Sequence, residues 1–160
     1  SRMRLEGKGE QMPQATVELH RMTRGDIDDY LVLEKRAESR TYTAAQDRDE
    51  AEEEFSQGPM YLIRQGDKII GTISYSVKED GSVYLNGLAI DPEFQGSGLG
   101  RVALGQILEE VKSAPRVWLV THPENDRAIT LYESFGFTIT DRVENYHGDG
   151  EPRLVLALTR

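Results

Sequence analysis

The stretch DPEFQGSGLGRVAL, residues 91–104, decides the fold because it joins an apolar segment to a helical one through a glycine-rich turn. Glycines at positions 96, 98 and 100 lack a β-carbon, so a bulky group can approach the main chain. A helix that starts here begins with backbone N–H groups that have no partner inside the helix, and with the positive end of the helix dipole. The turn therefore predicts a binding site for an anion such as phosphate or pyrophosphate.

Two familiar phosphate-binding loops do not match this turn. A Walker loop requires GxxxxGK followed by Ser or Thr, and no lysine follows these glycines. A dinucleotide-binding loop requires GxGxxG, and after Gly96 and Gly98 the position of the third glycine is occupied by Arg101. Spacing alone also leaves a structural alternative, in which Gly96 and Gly98 only make a tight turn and Gly100 only lets the helix pack closely.

The sequence on either side of the turn predicts one mixed α/β domain over residues 15–160. Residues 1–14 are polar and lack periodicity, which predicts a flexible arm or a cloning remnant. Strands are predicted at 15–22, 60–65, 68–77, 83–90, 117–121, 137–146 and 153–159, and helices after Thr23 or Asp26, at 44–55, at 101–112, and after Asn125 or Asp126. Short connections over residues 60–90 predict an antiparallel meander, and the helix that follows predicts a parallel crossover.

The charge and residue composition exclude several classes of binding partner and site. The 160 residues include 19 basic and 28 acidic side chains, a net charge of −9, which opposes binding to a nucleic-acid backbone and favours a cationic partner. The chain has no cysteine, which excludes disulfides and thiolate nucleophiles, and the histidine spacing suggests no metal site. No apolar run approaches the roughly 20 residues of a membrane helix. We therefore expect no membrane partner and a cytoplasmic location.

Two motifs at compatible spacing resemble those of the GNAT superfamily of acyl-CoA-dependent N-acyltransferases. Gln95, Gly98 and Gly100 match the signature Q/R-x-x-G-x-G/A. The signature N-x-x-A-x-x-L-Y-x-x-x-G-F is matched by Asn125, Ala128, Leu131, Tyr132, Gly136 and Phe137. The resemblance is strong over residues 59–159 and extends to residues 15–58 in element order only. It implies a mostly antiparallel central sheet of about seven strands with one parallel, splayed pair, flanked by about four helices.

The same resemblance implies that the cofactor is acetyl-CoA. Its pyrophosphate would bind to the main chain of the turn, formed by Gly96, Ser97, Gly98, Leu99, Gly100 and Arg101. Its pantetheine arm would lie between strands 83–90 and 117–121 and contact the strand residues Leu88, Ala89 and Ile90. Asn125 would contact the same arm, Gln95 belongs to the signature, and Arg101 or Arg127 would meet the outer phosphates.

Acetyl transfer to an amine requires a neutral amine, stabilisation of the developing oxyanion and a proton for the departing thiolate. Tyr132 matches the family tyrosine that serves as general acid, although a core tyrosine on an apolar helix face is the alternative. The ribosomal-protein and protein N-terminal branches often place a Glu or His five residues before the motif asparagine, where this chain has Val120. His122 lies on the same strand face and is the candidate base, or caps the loop. Tyr84 and Asn86 are candidates for holding a water that relays the proton.

Two further segments bear on the acceptor. Residues 144–152, ENYHGDGEP, resemble the tyrosine-rich final hairpin of protein N-terminal acetyltransferases and favour a peptide or protein amine, but Pro152 and Arg153 depart from that pattern. Residues 47–55, DRDEAEEEF, occupy the position of the variable second helix beside the acceptor pocket; they suit a cationic amine, or form a solvated helix face.

The expected function is transfer of an acetyl group from acetyl-CoA to a primary amine in a ternary complex, without a covalent enzyme intermediate. The acceptor is a small molecule or a peptide or protein amine. Two alternatives stay open: an acetyltransferase for polyamines or other small amino compounds, and a non-catalytic domain that senses acyl-CoA. Because family members often pair through their last strands, a homodimer is also expected.

Overall fold

The computed structural model describes residues 16–160, so the arm predicted over residues 1–14 lies outside the described residues. The strands are β1 Glu18–Arg21, β2 Met60–Gln65, β3 Lys68–Val77, β4 Val83–Ile90, β5 Arg116–Thr121, β6 Thr138–Val143 and β7 Arg153–Thr159. The α-helices are α1 Ile27–Ala37, α2 Arg48–Gln57, α3 Leu99–Glu110 and α4 Asp126–Ser134. None of these helices is long and apolar enough to cross a membrane.

The strands form one seven-stranded sheet in the order β1-β2-β3-β4-β5-β7-β6. Neighbouring strands are antiparallel except for β4 and β5, which run parallel. This pair is short, because only Val83 with Val117 and Tyr84 with Trp118 are in register. Beyond them the two strands separate. The mixed sheet with one parallel, splayed pair, which the sequence predicted, is confirmed.

A β-bulge lies in β4 where it leaves β5. Ser74 on β3 pairs with Gly87 and Tyr75 pairs with Leu85, so Asn86 is an extra residue without a partner on β3. A bulge of this kind increases the local twist and re-aims nearby side chains. It lies at the point where the gap between β4 and β5 opens.

Helices cover both faces of the sheet. Successive residues of a strand point to opposite faces, and on β2 Met60 and Leu62 pack with α1 and α2, whereas Tyr61 and Ile63 belong to the core under α3. The side chains that α3 buries are Leu99, Ala103, Leu104, Ile107 and Leu108. The gap between β4 and β5 therefore has α1 and α2 on one side and α3 on the other.

Several element boundaries differ from the predicted ones for local reasons. Helix α3 begins at Leu99, two residues early, because Gly98 takes the left-handed conformation before it, with φ 83°. Helix α2 begins at Arg48 because the Asp47 carboxylate accepts a hydrogen bond from the Glu50 N–H at 2.9 Å and caps the helix there. Strand β6 ends at Val143, three residues before its predicted end.

Candidate active site

A cleft of about 870 Å³ opens at the carboxyl end of β4 and is called here the glycine-turn cleft. It is bounded by β4, the turn before α3, the first half of α4 and the segment that follows α1. The predicted cofactor-binding residues that line it are Leu88, Ala89, Ile90, Gln95, Gly96, Gly98, Leu99, Gly100, Arg101, Asn125, Arg127 and Tyr132. Ser97 is the one predicted residue that does not line it, and its hydroxyl donates to the Phe94 carbonyl at 2.6 Å. The fold thus brings together residues from two distant motifs.

The glycine turn has the geometry of an anion site. Gly96 and Gly98 both have left-handed backbones, with φ 85° and 83°, and a β-carbon at either position would meet nothing within 4 Å. Over residues 16–160, no acceptor pairs with the N–H groups of residues 96–101, and the first N–H bonded into the helix is that of Val102, to the Gly98 carbonyl at 3.2 Å. Open space, unpaired donors and a helix dipole suit a pyrophosphate.

Two exposed arginines flank this turn. The Arg127 guanidinium donates to the Gln95 side-chain oxygen at 3.3 Å, and the Gln95 amide donates to the Ile90 carbonyl at 3.0 Å. The Arg101 guanidinium lies 5.4 Å from the centre of the Phe135 ring. Gln95 therefore ties the end of β4 to α4, and both cations lie beside the predicted phosphate position.

Helix α4 carries Tyr132, the tyrosine of the second motif. The Asn125 side chain caps this helix by accepting from the Ala128 N–H at 3.3 Å. Tyr132 is buried, its ring lies 5.6 Å from that of Phe137, and its hydroxyl has no hydrogen-bond partner in the part of the chain that the structure describes. Burial raises the pKa of Tyr132, and the charge of Tyr84 would raise it further. The phenol therefore keeps its proton at neutral pH.

A second cavity of about 270 Å³ lies on the face of the sheet that α1 and α2 cover, and is called here the acidic pocket. Its carboxylates are Glu34, Glu50 and Glu54. Its walls come from the middle strands and from the loop before β7, through Thr72, Ser74, Tyr84, Asn86, Gly87, Val120, Thr121, His122, His147 and Arg153. It borders Tyr84, Asn86 and Gly87 of β4, and the glycine-turn cleft begins at the next residue of that strand, Leu88.

Glu34 is buried at the base of this pocket, with 2% of its surface exposed. Its carboxylate accepts hydrogen bonds from the Thr72 hydroxyl at 2.8 Å, the Ala45 N–H at 3.0 Å and the Tyr42 phenol at 2.9 Å. Burial raises its pKa, while these donors act in the opposite direction. The three donors thus compensate the burial of this carboxylate.

Glu54 lies nearby on α2 and has fewer partners. Its carboxylate accepts a hydrogen bond from the Tyr30 phenol at 2.7 Å. Burial, with a further contribution from the charges of Glu34 and Glu50, raises the pKa of Glu54 to about 7. A carboxylate that titrates near neutral pH is suited to exchange a proton with a bound amine.

His122 lines the acidic pocket, as its strand position predicted, but both ring nitrogens are engaged. Nδ1 accepts the Glu124 N–H at 3.0 Å, so in the neutral ring the proton is on Nε2, which lies 2.7 Å from the Glu151 carboxylate. Arg40 bridges Glu124 and Glu151 at 2.6 Å and 3.5 Å. The neutral imidazole has no free lone pair, and this arrangement favours the loop-capping alternative over a base.

Tyr84 and Asn86 both line the acidic pocket, on the face where the sequence placed them. The Tyr84 ring lies 4.4 Å from that of Trp118, and burial raises the pKa of Tyr84 to about 12. The Asn86 oxygen accepts from the Ser76 hydroxyl at 2.9 Å. Both side chains are neutral at physiological pH, so they can position a water or an amine but cannot hold its charge.

Sequence reasoning missed Glu34, Tyr30 and Tyr42. A signal for Glu34 was present, because it falls on the apolar face of α1 together with Ile27, Tyr30, Leu33 and Ala37, all of which are buried. A charged residue in such a stripe is seldom buried without a partner or a function. No group of three His, Asp or Glu side chains within residues 16–160 is placed to hold a metal ion.

The sequence matches the model of the Acetyltransferase (GNAT) family over residues 24–137. Ribosomal protein bS18-alanine N-acetyltransferase from Escherichia coli strain K12 is 33% identical over 111 residues, which cover 64% of this chain and 74% of that protein. The Probable spermine N(1)-acetyltransferase of Bacillus subtilis subsp. natto is 32% identical over 96 residues, 54% of this chain and 62% of that protein.

Solved structures share the fold. The crystal structure of the ribosomal-protein-S18-alanine N-acetyltransferase from Escherichia coli matches with a TM-score of 0.77 at 23% identity, over 90% of this chain and 94% of that one. A GNAT family acetyltransferase from Elizabethkingia anophelis, crystallised with acetyl-CoA bound, matches with a TM-score of 0.73 at 19% identity, over 90% and 98% of the two chains.

Proposed function

The chain belongs to the GNAT acetyltransferase family, and from that premise we propose that it acetylates the α-amino group of a peptide or protein. As a member of the family it is an N-acetyltransferase that uses acetyl-CoA and acts on a primary amine. The observation that carries the finer proposal is the acidic pocket, which borders β4 beside the glycine-turn cleft and is partly walled by His147, from the hairpin segment 144–152.

On the donor side, the main chain from Gly96 to Arg101 binds the pyrophosphate, since its N–H groups are unpaired and open to a ligand. Leu88, Ala89 and Ile90 line the path toward the gap between β4 and β5. Acetyl-CoA supplies the acetyl thioester. Tyr132, which lines the same cleft and retains its proton, is the group assigned to protonate the departing thiolate.

On the acceptor side, the substrate arrives as an ammonium ion and must lose a proton before it can attack. Glu34 and Glu54 attract the cation by charge. Glu54 takes the proton, because its pKa near 7 keeps a substantial fraction ionised at neutral pH while still allowing it to bind a proton. Glu54 on α2 is thus the proposed general base, a role that Val120 cannot fill because its side chain takes no proton. His122 is assigned to holding the pocket wall rather than to proton transfer.

The relative named for the alanine terminus of a ribosomal protein supports an α-amine acceptor. A polyamine is the second candidate, favoured by the three carboxylates of the acidic pocket and by the relative named for spermine. A cytoplasmic location and a homodimer stay predictions.

The test is an acceptor panel with acetyl-CoA as donor and thiol release as the readout. The panel contains peptides that begin with Ala, Ser or Met, the same peptides with a blocked N-terminus, and spermine and spermidine. We expect acetylation of free peptides, located at the α-amine by mass spectrometry, and none of the blocked peptides. Polyamine turnover without peptide turnover would replace the first candidate with the second, and the absence of turnover with every amine would contradict both.

A further inference from the structure

Tyr42 lies where the two cavities meet. Of the described residues, Thr41 and Tyr42 are the two that line both the glycine-turn cleft and the acidic pocket. Along β4 the boundary falls between Gly87, which lines the acidic pocket, and Leu88, which lines the cleft. Tyr42 therefore lies at the boundary of the two cavities, where a group that extends from the cleft along β4 toward the acidic pocket approaches its side chain.

The Tyr42 ring is close to the main chain of β4. A β-carbon added to Gly87 would lie 3.0 Å from the Tyr42 hydroxyl oxygen, and 3.8 and 3.9 Å from two of its ring carbons. The first distance is tighter than an ordinary van der Waals contact, and the others are ordinary. The absence of a side chain at Gly87 thus makes room for the phenol at this junction.

Tyr42 is held in this position from two directions. Its phenol donates to the Glu34 carboxylate, whose oxygens lie at 2.9 and 3.1 Å, and Glu34 is itself held by Thr72 and Ala45. Its backbone exchanges two hydrogen bonds with Ser39, at 3.1 and 3.3 Å. Burial raises the pKa of Tyr42, so the phenol stays protonated and bonded. The ring is therefore a fixed wall rather than a mobile side chain.

We infer that Tyr42 closes the inner end of the glycine-turn cleft and restricts the transferred group to acetyl. The inference rests on the proposed placement of the donor, with its pyrophosphate at the glycine turn and its thioester toward the gap between β4 and β5. From there an acyl chain extends toward the boundary of Gly87 and Leu88, where the Tyr42 ring lies. An acetyl group ends before the ring, and each added methylene meets it.

The restriction concerns the size of the group and leaves the chemistry unchanged. In each case the acyl carbon–sulfur bond breaks, a carbon–nitrogen bond to the amine forms, and the proton lost by the amine is balanced by the one gained by the thiolate. Pockets that discriminate one methylene typically do so by roughly 10-fold to 200-fold. Tyr42 is thus a specificity-determining residue and not the acid or the base.

The experiment compares acetyl-CoA, propionyl-CoA and butyryl-CoA in the full chain, with wild type, Tyr42→Ala and the matched control Tyr42→Phe, which keeps the ring. We expect Tyr42→Ala to raise the ratio of kcat/KM for propionyl-CoA over acetyl-CoA by roughly tenfold or more, and Tyr42→Phe to keep the wild-type ratio. Calorimetric affinities for the three acyl-CoA compounds give a second readout that requires no acceptor. An unchanged preference in a folded Tyr42→Ala variant overturns the inference.

If Tyr42→Ala does not fold, a second pair of variants tests the contact between Tyr42 and Gly87 on which the inference rests. Gly87→Ala should lower turnover in wild type, because its β-carbon crowds the phenol oxygen, and should be tolerated with Tyr42→Phe, which removes that oxygen. An equal loss in both backgrounds overturns the contact. Failure of the acceptor proposal is distinguishable, since it would appear as absent turnover in wild type while the acyl-CoA affinities still report the size restriction.

Discussion

The phenol of Tyr30 on α1 donates a 2.7 Å hydrogen bond to the carboxylate of Glu54 on α2, inside the acidic pocket. Burial raises the pKa of this carboxylate to about 7. Two helices that cover one face of the sheet thereby place a group that titrates at neutral pH beside the strand along which the donor is proposed to lie.

The pH dependence of turnover should follow Glu54. At saturating acceptor, kcat of wild type should fall on the acidic side with a midpoint near pH 7, because protonated Glu54 cannot take a proton. Glu54→Gln should lack this limb and be slower by roughly 100-fold. Glu53→Gln, an exposed neighbour on the same helix, is the control. A Glu54→Gln variant that retains the limb would assign the base elsewhere.

Stability should also depend on Glu54, with a defined sign. Its pKa is about 7 in the folded state against 4.5 for an unperturbed glutamate, so between these values the folded chain holds a proton that the unfolded chain releases. The contribution of Glu54 to stability therefore declines as pH rises from about 4.5 to about 7. From pH 5 to pH 8, the free energy of unfolding of Glu54→Gln should therefore rise by on the order of 2 kcal/mol relative to that of wild type. Denaturant unfolding at both pH values measures this, and parallel curves would contradict it.

Tyr132→Phe should separate binding from chemistry. The variant keeps the ring that packs against Phe137 but lacks the proton for the thiolate. We expect an acetyl-CoA affinity within about twofold of wild type and a kcat lower by roughly 100-fold or more. Calorimetry and thiol release measure the two quantities. Tyr61→Phe, which removes a buried phenol that donates to Glu110, controls for the loss of a hydroxyl. Equal turnover in wild type and Tyr132→Phe would remove the phenol from the mechanism.

Gly98→Val should weaken acetyl-CoA binding. Gly98 has φ 83°, which a β-branched residue adopts only with strain, and its side chain would enter the space in front of the unpaired N–H groups. We expect affinity to fall by roughly tenfold or more in a calorimetric titration. Gly66→Val, at a hairpin glycine with φ 62°, carries similar strain away from the cleft and should bind normally. If both variants bind alike, the glycine turn is not the phosphate site.

His122→Ala should affect stability more than the pH profile. The imidazole is buried and bonded to Glu124 and Glu151, so its removal leaves the Glu124 N–H without its acceptor and opens a gap at a buried position. We expect a loss of about 1–3 kcal/mol in the free energy of unfolding, with the acidic limb of kcat unmoved. A variant of normal stability whose limb has disappeared would restore His122 as the base.

Much of the cleft was accessible from the sequence because it is built from local features. The left-handed glycines at 96 and 98, the unpaired N–H groups at the start of α3 and the Asn125 cap each depend on residues within a few positions of one another. The alternation of apolar residues likewise indicated the strands and the parallel crossover. Motif spacing then placed Tyr132 and the turn in one site, and the cleft contains both.

The acidic pocket depended on the tertiary structure. Tyr30 and Glu54 are 24 positions apart, and His122 and Glu151 are 29 apart, so neither hydrogen bond can be predicted from a local sequence pattern. The pKa of Glu54 depends on how deeply α2 is buried, and the position of Tyr42 depends on its contact with Gly87 of β4 and its hydrogen bond to Glu34 of α1. The sequence by itself determined the fold and the residues that form the glycine-turn cleft, because local motifs and backbone conformation specify them. Only the packing of α1 and α2 on the sheet decided the acidic pocket, where the acceptor is proposed to bind, because burial and long-range contacts set the charge and shape of that pocket.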